Sequence, residues 1–576
     1  MNSRYAPLFA SSLLAAPLSA LTSPLRHRSA PPVTAEPDAA PAAPSTAAPT
    51  RSGRSGMIRS SMIYSSLTLV SRVMGFARDL AITYRMGASA TFAADAFNTA
   101  FAFPNLFRRI FAEGAFAAAF VPAYARSLER DGEEVADILA ADAMATLAAA
   151  TLALTVFAEL AMPWLMFLIA PGFAANPAKF KLAIFLTQIT MPYLPCMAIY
   201  AHLSGVLNAR NRFVLSGAAP ILLNLWTLVT VLPATTPVVA AKAASIGVIL
   251  AGVSQAGLLW WGVNKSGARV DWRWPRLTPE IKKLIGLAVP GAIAASVSQI
   301  NVFVSGVLVS PINGARSWLS VCDRLYQLPQ GLVGVAIGVA LLPRLSRAVQ
   351  AEDHPGARSA MDEAITFAMA LTLPAAAALF AIPFFLIDGL FTRGAFHVGD
   401  AHQVALALRQ YGWGVPAFVL SQILTRAFFA RQDTRTPMRY AIVSVVVNIA
   451  AGVSLFYFVG VQGIAAATSL ASWVNVLMMA WTLHRRGDYS PTAAAWSKLA
   501  RILAASMALG LVLGAISHER PLVEGLIGHL PLAGRHAKEV AILLVLILAG
   551  AAYPFLLFAS GGLTLAEMRA ATRRRG

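Results

Sequence analysis

Residues 94–122 read ADAFNTAFAFPNLFRRIFAEGAFAAAFVP. Asp95, the neighbours Arg108 and Arg109, and Glu113 stand in a run that is otherwise apolar or small. In a soluble protein those charges would mark the wet face of a surface helix. The rest of the chain excludes that reading. It is 57% hydrophobic and 13% charged, with a mean hydropathy of +0.63, whereas soluble domains carry about 25% charged residues. The class that fits is an all-α polytopic membrane protein, because a segment crossing lipid must satisfy its backbone internally.

Fourteen apolar segments reach the roughly 20 residues a crossing requires: 63–84, 92–124, 136–170, 180–208, 213–233, 241–263, 284–310, 316–343, 361–391, 403–429, 437–459, 461–483, 496–517 and 537–560. The second is long for one crossing and holds Pro104 and Gly114, so a bend is expected near its charges. Residues 29–56 are rich in Ala, Pro, Ser and Thr, a composition that does not pack. PLFASSLLAAPLSAL (7–21) is mildly apolar but broken by two prolines. A non-functional extension is expected there rather than a signal peptide, and Met57 and Met62 are candidate starts where membrane-type sequence begins.

Connections on one side of the membrane are the more basic. They include NKSGARVDWRWPRLTPEIKK (264–283), LHRRGDYS (483–490) and the tail RAATRRRG (569–576). That set holds more than twice the Lys and Arg of the opposite set, where Arg316 is counted as a loop charge. Both termini are therefore expected in the cytoplasm. Much of the net charge of +19 is then loop charge, and no nucleic-acid partner is expected. Cys196 and Cys322 both lie in apolar segments and offer no disulfide or metal spacing. There is no GxxxxGK[ST] loop, no HExxH and no GxSxG. No cofactor, metal or enzymatic activity is expected.

The chain carries a weak internal duplication. PAYAR (122–126) resembles PRLSR (343–347), LNARN (207–211) resembles FFARQ (428–432), and Pro195 pairs with Pro416, all offset by 221 residues. The expected organisation is a low-complexity extension (1–56), a first lobe of six spans (57–264), a basic cytoplasmic loop (265–280) and a second lobe of six spans (281–486). The last two spans and a basic tail (487–576) follow. Two pseudo-symmetric six-helix lobes around a central cavity form a common transporter plan, with the site between the repeats.

A charge at bilayer depth costs about 2.5–3.5 kcal/mol on insertion scales. Five arginines, Arg72, Arg78, Arg108, Arg109 and Arg324, lie within predicted spans near four acids, Asp79, Asp95, Glu113 and Asp323. Together those arginines facing lipid would cost on the order of 10 kcal/mol or more. They must face a wet cavity, an anion or carboxylate partners. Arg109 with Glu113, and Arg72 with Asp79, share helix faces and can pair, while Arg108 points about 100° from Arg109. Structural ion pairs and snorkelling are the simpler alternative for any one of them. A surplus of arginine favours anionic cargo, because guanidinium pairs bidentately with phosphate and carboxylate.

SRVMGFARD (71–79), the 94–122 block, CDRLYQLPQGLVGVAIGVALLP (322–343) and FFARQDTRTP (428–437) closely resemble the MurJ (MviN) lipid II flippases of the multidrug/oligosaccharidyl-lipid/polysaccharide exporter superfamily. The resemblance covers about 57–560. It implies fourteen transmembrane helices, two lobes and two extra C-terminal helices. It implies as cargo lipid II, an undecaprenyl diphosphate bearing the disaccharide–pentapeptide of peptidoglycan, moved between leaflets of the bacterial inner membrane. It further implies peptidoglycan-synthesis proteins as partners and a lipid-tail groove at spans thirteen and fourteen. The family's cavity charges fall on Arg72, Arg78, Asp95, Arg108, Arg109, Glu113 and Arg324, with Asp79 and Asp323 adjoining. Two departures stand out. The family's Thr-Asp-Ala-Phe is Ala94-Asp95-Ala96-Phe97 here, and QINVFVSGVLVS (299–310) lacks the acid some relatives use for sodium. Membrane potential or protons are therefore the expected drive.

Three other readings compete. A flippase for another lipid-linked oligosaccharide, such as O-antigen units, would share the fold and the cationic cavity. A cation-drug antiporter would want acids rather than surplus arginine. A membrane scaffold for peptidoglycan enzymes would hold its charges as ion pairs.

Overall fold

The computed structural model describes residues 51–107, 116–529 and 536–562. Most of the low-complexity extension, the cluster at 108–115 and the basic tail, with the expectations placed on them, lie outside the described residues. Nineteen α-helices, and no strand, occur among the described residues. The first eight are α1 (Arg51–Met86), α2 (Ala93–Phe107), α3 (Phe116–Arg130), α4 (Glu133–Ile169), α5 (Pro177–Thr190), α6 (Tyr193–Ala209), α7 (Val214–Val231) and α8 (Pro237–Lys265). Next come α9 (Pro279–Val309), α10 (Ala315–Gln350), α11 (His354–Ala381), α12 (Pro383–Phe391), α13 (Val398–Gly412), α14 (Val415–Ala430), α15 (Arg435–Val459) and α16 (Val461–Arg485). The last three are α17 (Ala493–His518), α18 (Arg520–Gly528) and α19 (Ala537–Ala559).

Among the described residues, each predicted apolar segment falls on one of these helices or on a consecutive pair. Among the described residues nine spans are long and apolar enough to cross a membrane, or ten if α13 and α14, bent by 40°, count as one. The expected fourteen is not reached on length and apolarity alone. α1 and α10 are 36 residues each, but both carry the charges and polar residues noted above, which lower hydropathy without shortening the helix. Helix starts follow local rules. The side chains of Asn176, Thr236, Thr278 and Thr492 accept hydrogen bonds from backbone N–H groups of the first turns of α5, α8, α9 and α17. Proline begins three of those helices, where its missing N–H costs nothing. Large apolar side chains such as Leu160, Trp164, Phe458 and Phe555 remain exposed, the surface that lipid covers.

The duplication is written into the backbone. The break between α5 and α6 before Pro195 recurs between α13 and α14 before Pro416. Asn211 and Gln432, 221 positions apart, both have φ of 60°, a left-handed conformation uncommon outside glycine. In both turns the following N–H bonds the carbonyl five residues back: Arg212 to Leu207 and Asp433 to Phe428, at 2.8 and 3.0 Å. The arginine before each turn is also anchored alike. Arg210 reaches Asp137 at 3.2 Å and Arg431 reaches Asp488 at 3.0 Å.

Packing divides the helices accordingly. Helices α2 to α8 pack among themselves, as do α10 to α16. α17 lies on α11, and α19 on α12 and α17. Each half has two apolar cores, one near each end. α9 was expected within the second lobe, yet it packs on α3 and α4 of the first half as well as on α15 of the second.

An arginine-lined cavity closed by a polar seam

The first halves of α2 and α10 meet at one end of the molecule. Asp95, wholly buried, is held there from both sides. Lys179 of α5 donates to its Oδ2 at 2.8 Å, the Gly314 N–H donates to the same oxygen at 2.7 Å, and Ser317 donates to Oδ1 from N and Oγ at 3.1 and 2.8 Å. Further bonds cross the same seam. Asp400 accepts from Ser89 N–H at 3.0 Å, Asn313 donates to Ser89 O at 2.7 Å, Ala395 N–H donates to Tyr84 O at 2.9 Å and Gly172 N–H to Ser310 Oγ at 2.9 Å. Backbones approach closely: a Cβ on Gly87 would overlap the Ala395 carbonyl.

Between the halves, beyond this seam, lie two adjoining cavities of about 310 and 830 Å³. They share Arg78, Phe101, Asn105, Arg324, Tyr326 and Gln327 on their walls. The smaller also takes in Asp79, Arg316 and Asp323. The larger takes in Arg72, Gln330, Gln422 and Arg426. Arg72 lies fourteen residues before the end of α1 at Met86, about 20 Å along the axis, so the larger cavity runs away from the seam. Five arginines thus line the space against two aspartates.

Asp79 joins the halves inside it. Arg78 donates to its Oδ1 at 2.8 Å, and Arg324 of α10 forms an ion pair with Oδ2. The pairing of Asp79 with Arg72 expected from helical spacing is not the one formed. Arg72 instead lies against Gly331, where any Cβ would overlap its guanidinium. Of the nine predicted site residues, Arg72, Arg78, Asp79, Asp323 and Arg324 come together on the cavity walls. Asp95 is placed apart, in the seam, with Lys179 rather than an arginine as partner. Arg108, Arg109 and Glu113 lie outside the described residues.

Sequence reasoning overlooked three cations. Arg316 was expected in a loop but sits in the first turn of α10, on the cavity wall. Arg426 stands alone in the apolar run FVLSQILTRAFF (418–429), and its charge inside a predicted span was the available signal. Lys179 precedes the fourth predicted span by one residue, and nothing local points to its partner 84 positions earlier. No cluster of three or more metal-ligating side chains occurs among the described residues.

The family described as lipid II flippase MurJ matches residues 82–528. The chain belongs to the MurJ family. A probable lipid II flippase MurJ of Rhizobium tropici is 38% identical over 88% of this chain and 95% of its own length. The lipid II flippase MurJ of Burkholderia cenocepacia is 34% identical over 74% of this chain and 83% of its own. Among solved structures, a MurJ in an inward closed conformation aligns over 86% of this chain and all of its own, with a TM-score of 0.67 at 23% identity. An inward-facing multidrug resistance transporter of the MATE family aligns over 74% of this chain and 98% of its own, with a TM-score of 0.62 at 14% identity. The MurJ-family chain thus has the two-halved fold that these transporters share, and it is a multi-pass membrane protein.

Proposed function

We propose that this protein carries lipid II from the inner to the outer leaflet of the bacterial cytoplasmic membrane by alternating access, without covalent chemistry. The observation that carries the reading is the cavity between the halves, where arginines outnumber acids and both halves contribute guanidinium groups. A diphosphate is the cargo group such a site fits: Arg forks pair bidentately with phosphate oxygens, and a low-dielectric wall strengthens each contact. In this reading Arg72, Arg78 and Arg324 receive the diphosphate. Asp79 holds Arg78 and Arg324 together while the site is empty and gives them up to cargo. Asp323 adjusts the charge of the same wall. Arg108, Arg109 and Glu113 enter from the family resemblance alone, as further cationic contacts with their counter-ion.

The seam at Asp95 closes one end. With both termini in the cytoplasm, as the basic loops suggest, the seam lies on the outer side and the larger cavity opens inward. The isoprenoid tail stays in lipid beside α17 and α19. Proteins of peptidoglycan synthesis are the partners this role calls for. Depletion tests the whole: loss of the protein is expected to trap lipid II in the inner leaflet and cause lysis. Undiminished exposure of lipid II at the outer face after depletion overturns the proposal.

A further inference from the structure

Arg316 is set apart from the other cavity arginines. It stands eight residues before Arg324 on the same helix, about 12 Å along the axis and toward the seam. One diphosphate does not bridge that distance while also engaging Arg72, which lines the larger cavity on the side away from the seam. The guanidinium is seated by design of the opposite wall. It lies against Gly306 of α9, where any Cβ would overlap it, and the half-buried side chain faces a space also lined by Asn98, Asn301, Ser305 and Ser320. Those amides and hydroxyls suit a peptide better than a lipid chain. Asp323 lines the same cavity, and the oxygens of Asp95, in the seam, are already engaged by Lys179, Gly314 and Ser317.

We propose that Arg316 binds a carboxylate of the cargo's peptide, a second anion-binding subsite that reads the far end of the headgroup while the diphosphate occupies the arginines deeper in. The inference rests on the flippase reading and deepens it. It also gives cargo a route to the seam. Arg316 lies between Gly314, which caps α10, and Ser317 in its first turn, and both of these hold Asp95. On the same wall Asn98 donates to Ser317 Oγ at 3.2 Å, and that hydroxyl donates to Asp95 at 2.8 Å. A carboxylate docked on Arg316 draws on the turn that keeps the halves together, so arrival of the peptide end loosens it.

The test compares two probes on the full-length protein in detergent or nanodiscs: lipid II with free peptide carboxyls, and the same lipid with those carboxyls amidated. The readout is the ratio of their affinities. In wild type the free acid binds tighter. Arg316→Gln is expected to lower the ratio about tenfold, as loss of one charge-assisted contact does, and Arg316→Lys to keep part of it. Gly306→Ala, which evicts the guanidinium, lowers it as well. Arg324→Gln weakens both probes and leaves the ratio standing. A wild type that binds both lipids, with a ratio that Arg316→Gln does not change, sinks the Arg316 subsite alone. A wild type that binds neither takes the flippase reading down with it.

Discussion

Asp95 of α2 and Ser317 of α10, 222 positions apart, are joined twice, by the Ser317 N–H and by its hydroxyl, both to Oδ1. The other oxygen of the same carboxylate takes Lys179 and the Gly314 N–H. One buried charge therefore binds three segments, and the first prediction concerns removing its counter-ion.

Lys179→Met leaves Asp95 buried without its cation. Breaking a buried pair from one side costs about 3–5 kcal/mol, here charged to the closed arrangement. With Cys196 and Cys322 replaced, a reporter Asn98→Cys is expected to label faster with a membrane-impermeant maleimide in the Lys179→Met background than in wild type. Equal labelling rates would show that the pair does not hold the seam.

The bridge through Asp79 is the second target. Arg324→Ala removes an ion pair and a proposed diphosphate ligand. Charged hydrogen bonds contribute about 1.5–3 kcal/mol each, so lipid II affinity should fall roughly ten- to a hundredfold, with complementation lost and membrane insertion retained. Arg324→Lys keeps the charge but not the fork and should recover only part. Full complementation by Arg324→Ala would remove Arg324 from the site.

Gly331→Ala tests the seat of Arg72. The added methyl meets the guanidinium, which must swing away. We expect weakened lipid II binding in a protein that still inserts and migrates as wild type in size-exclusion chromatography. Unchanged binding would mean that Arg72 needs no fixed position.

Asp433, in the turn between α14 and α15, accepts hydrogen bonds from the Thr436 hydroxyl at 2.7 Å, from Arg486 at 2.8 Å and from the Thr436 N–H at 3.0 Å. The hydroxyl, then the guanidinium and the N–H, hold its carboxyl well below the usual carboxylate range. A depressed folded value means that the stabilisation is complete above the unfolded value, about 3.9, and fades as pH falls toward the folded one. The difference in melting temperature between wild type and Asp433→Asn should therefore be largest near pH 7 and shrink below about pH 4. A constant difference would remove the carboxylate from the turn's stability.

The paired turns offer a symmetric test. Asn211→Val and Gln432→Val each force a β-branched residue into left-handed backbone, at about 1–2 kcal/mol, and both should lower the melting temperature. Asn211→Gly and Gln432→Gly should not. A valine tolerated at either site would break the equivalence.

The architecture was legible because apolar length and repeat offset are additive signals. Where the residues are described, the apolar runs landed on helices, and the 221-residue offset reappeared in the φ angles of Asn211 and Gln432. The mid-span charges Arg72, Arg78, Asp79, Asp323 and Arg324 were legible as a cavity because lipid leaves them nowhere else to go. Arg316 escaped because a short connection made a cavity residue look like a loop charge. The partners of Asp95 escaped for a different reason. Two of its four donors are backbone N–H groups, which carry no side-chain signature, and Lys179 approaches from a helix packed beside α2 only once the first half has folded.

Much of what keeps the halves shut at the Asp95 end is polar, and polar bonds are ones that solvent can replace one for one. As the seam parts, water takes over each donor and acceptor in turn, so the barrier to opening is spread over many small exchanges instead of one rupture. A greasy zipper at the same place would have to expose its apolar faces before anything compensated. The choice of an aspartate, a lysine and a few hydroxyls therefore makes this closure hydratable, and a closure of that kind can cycle.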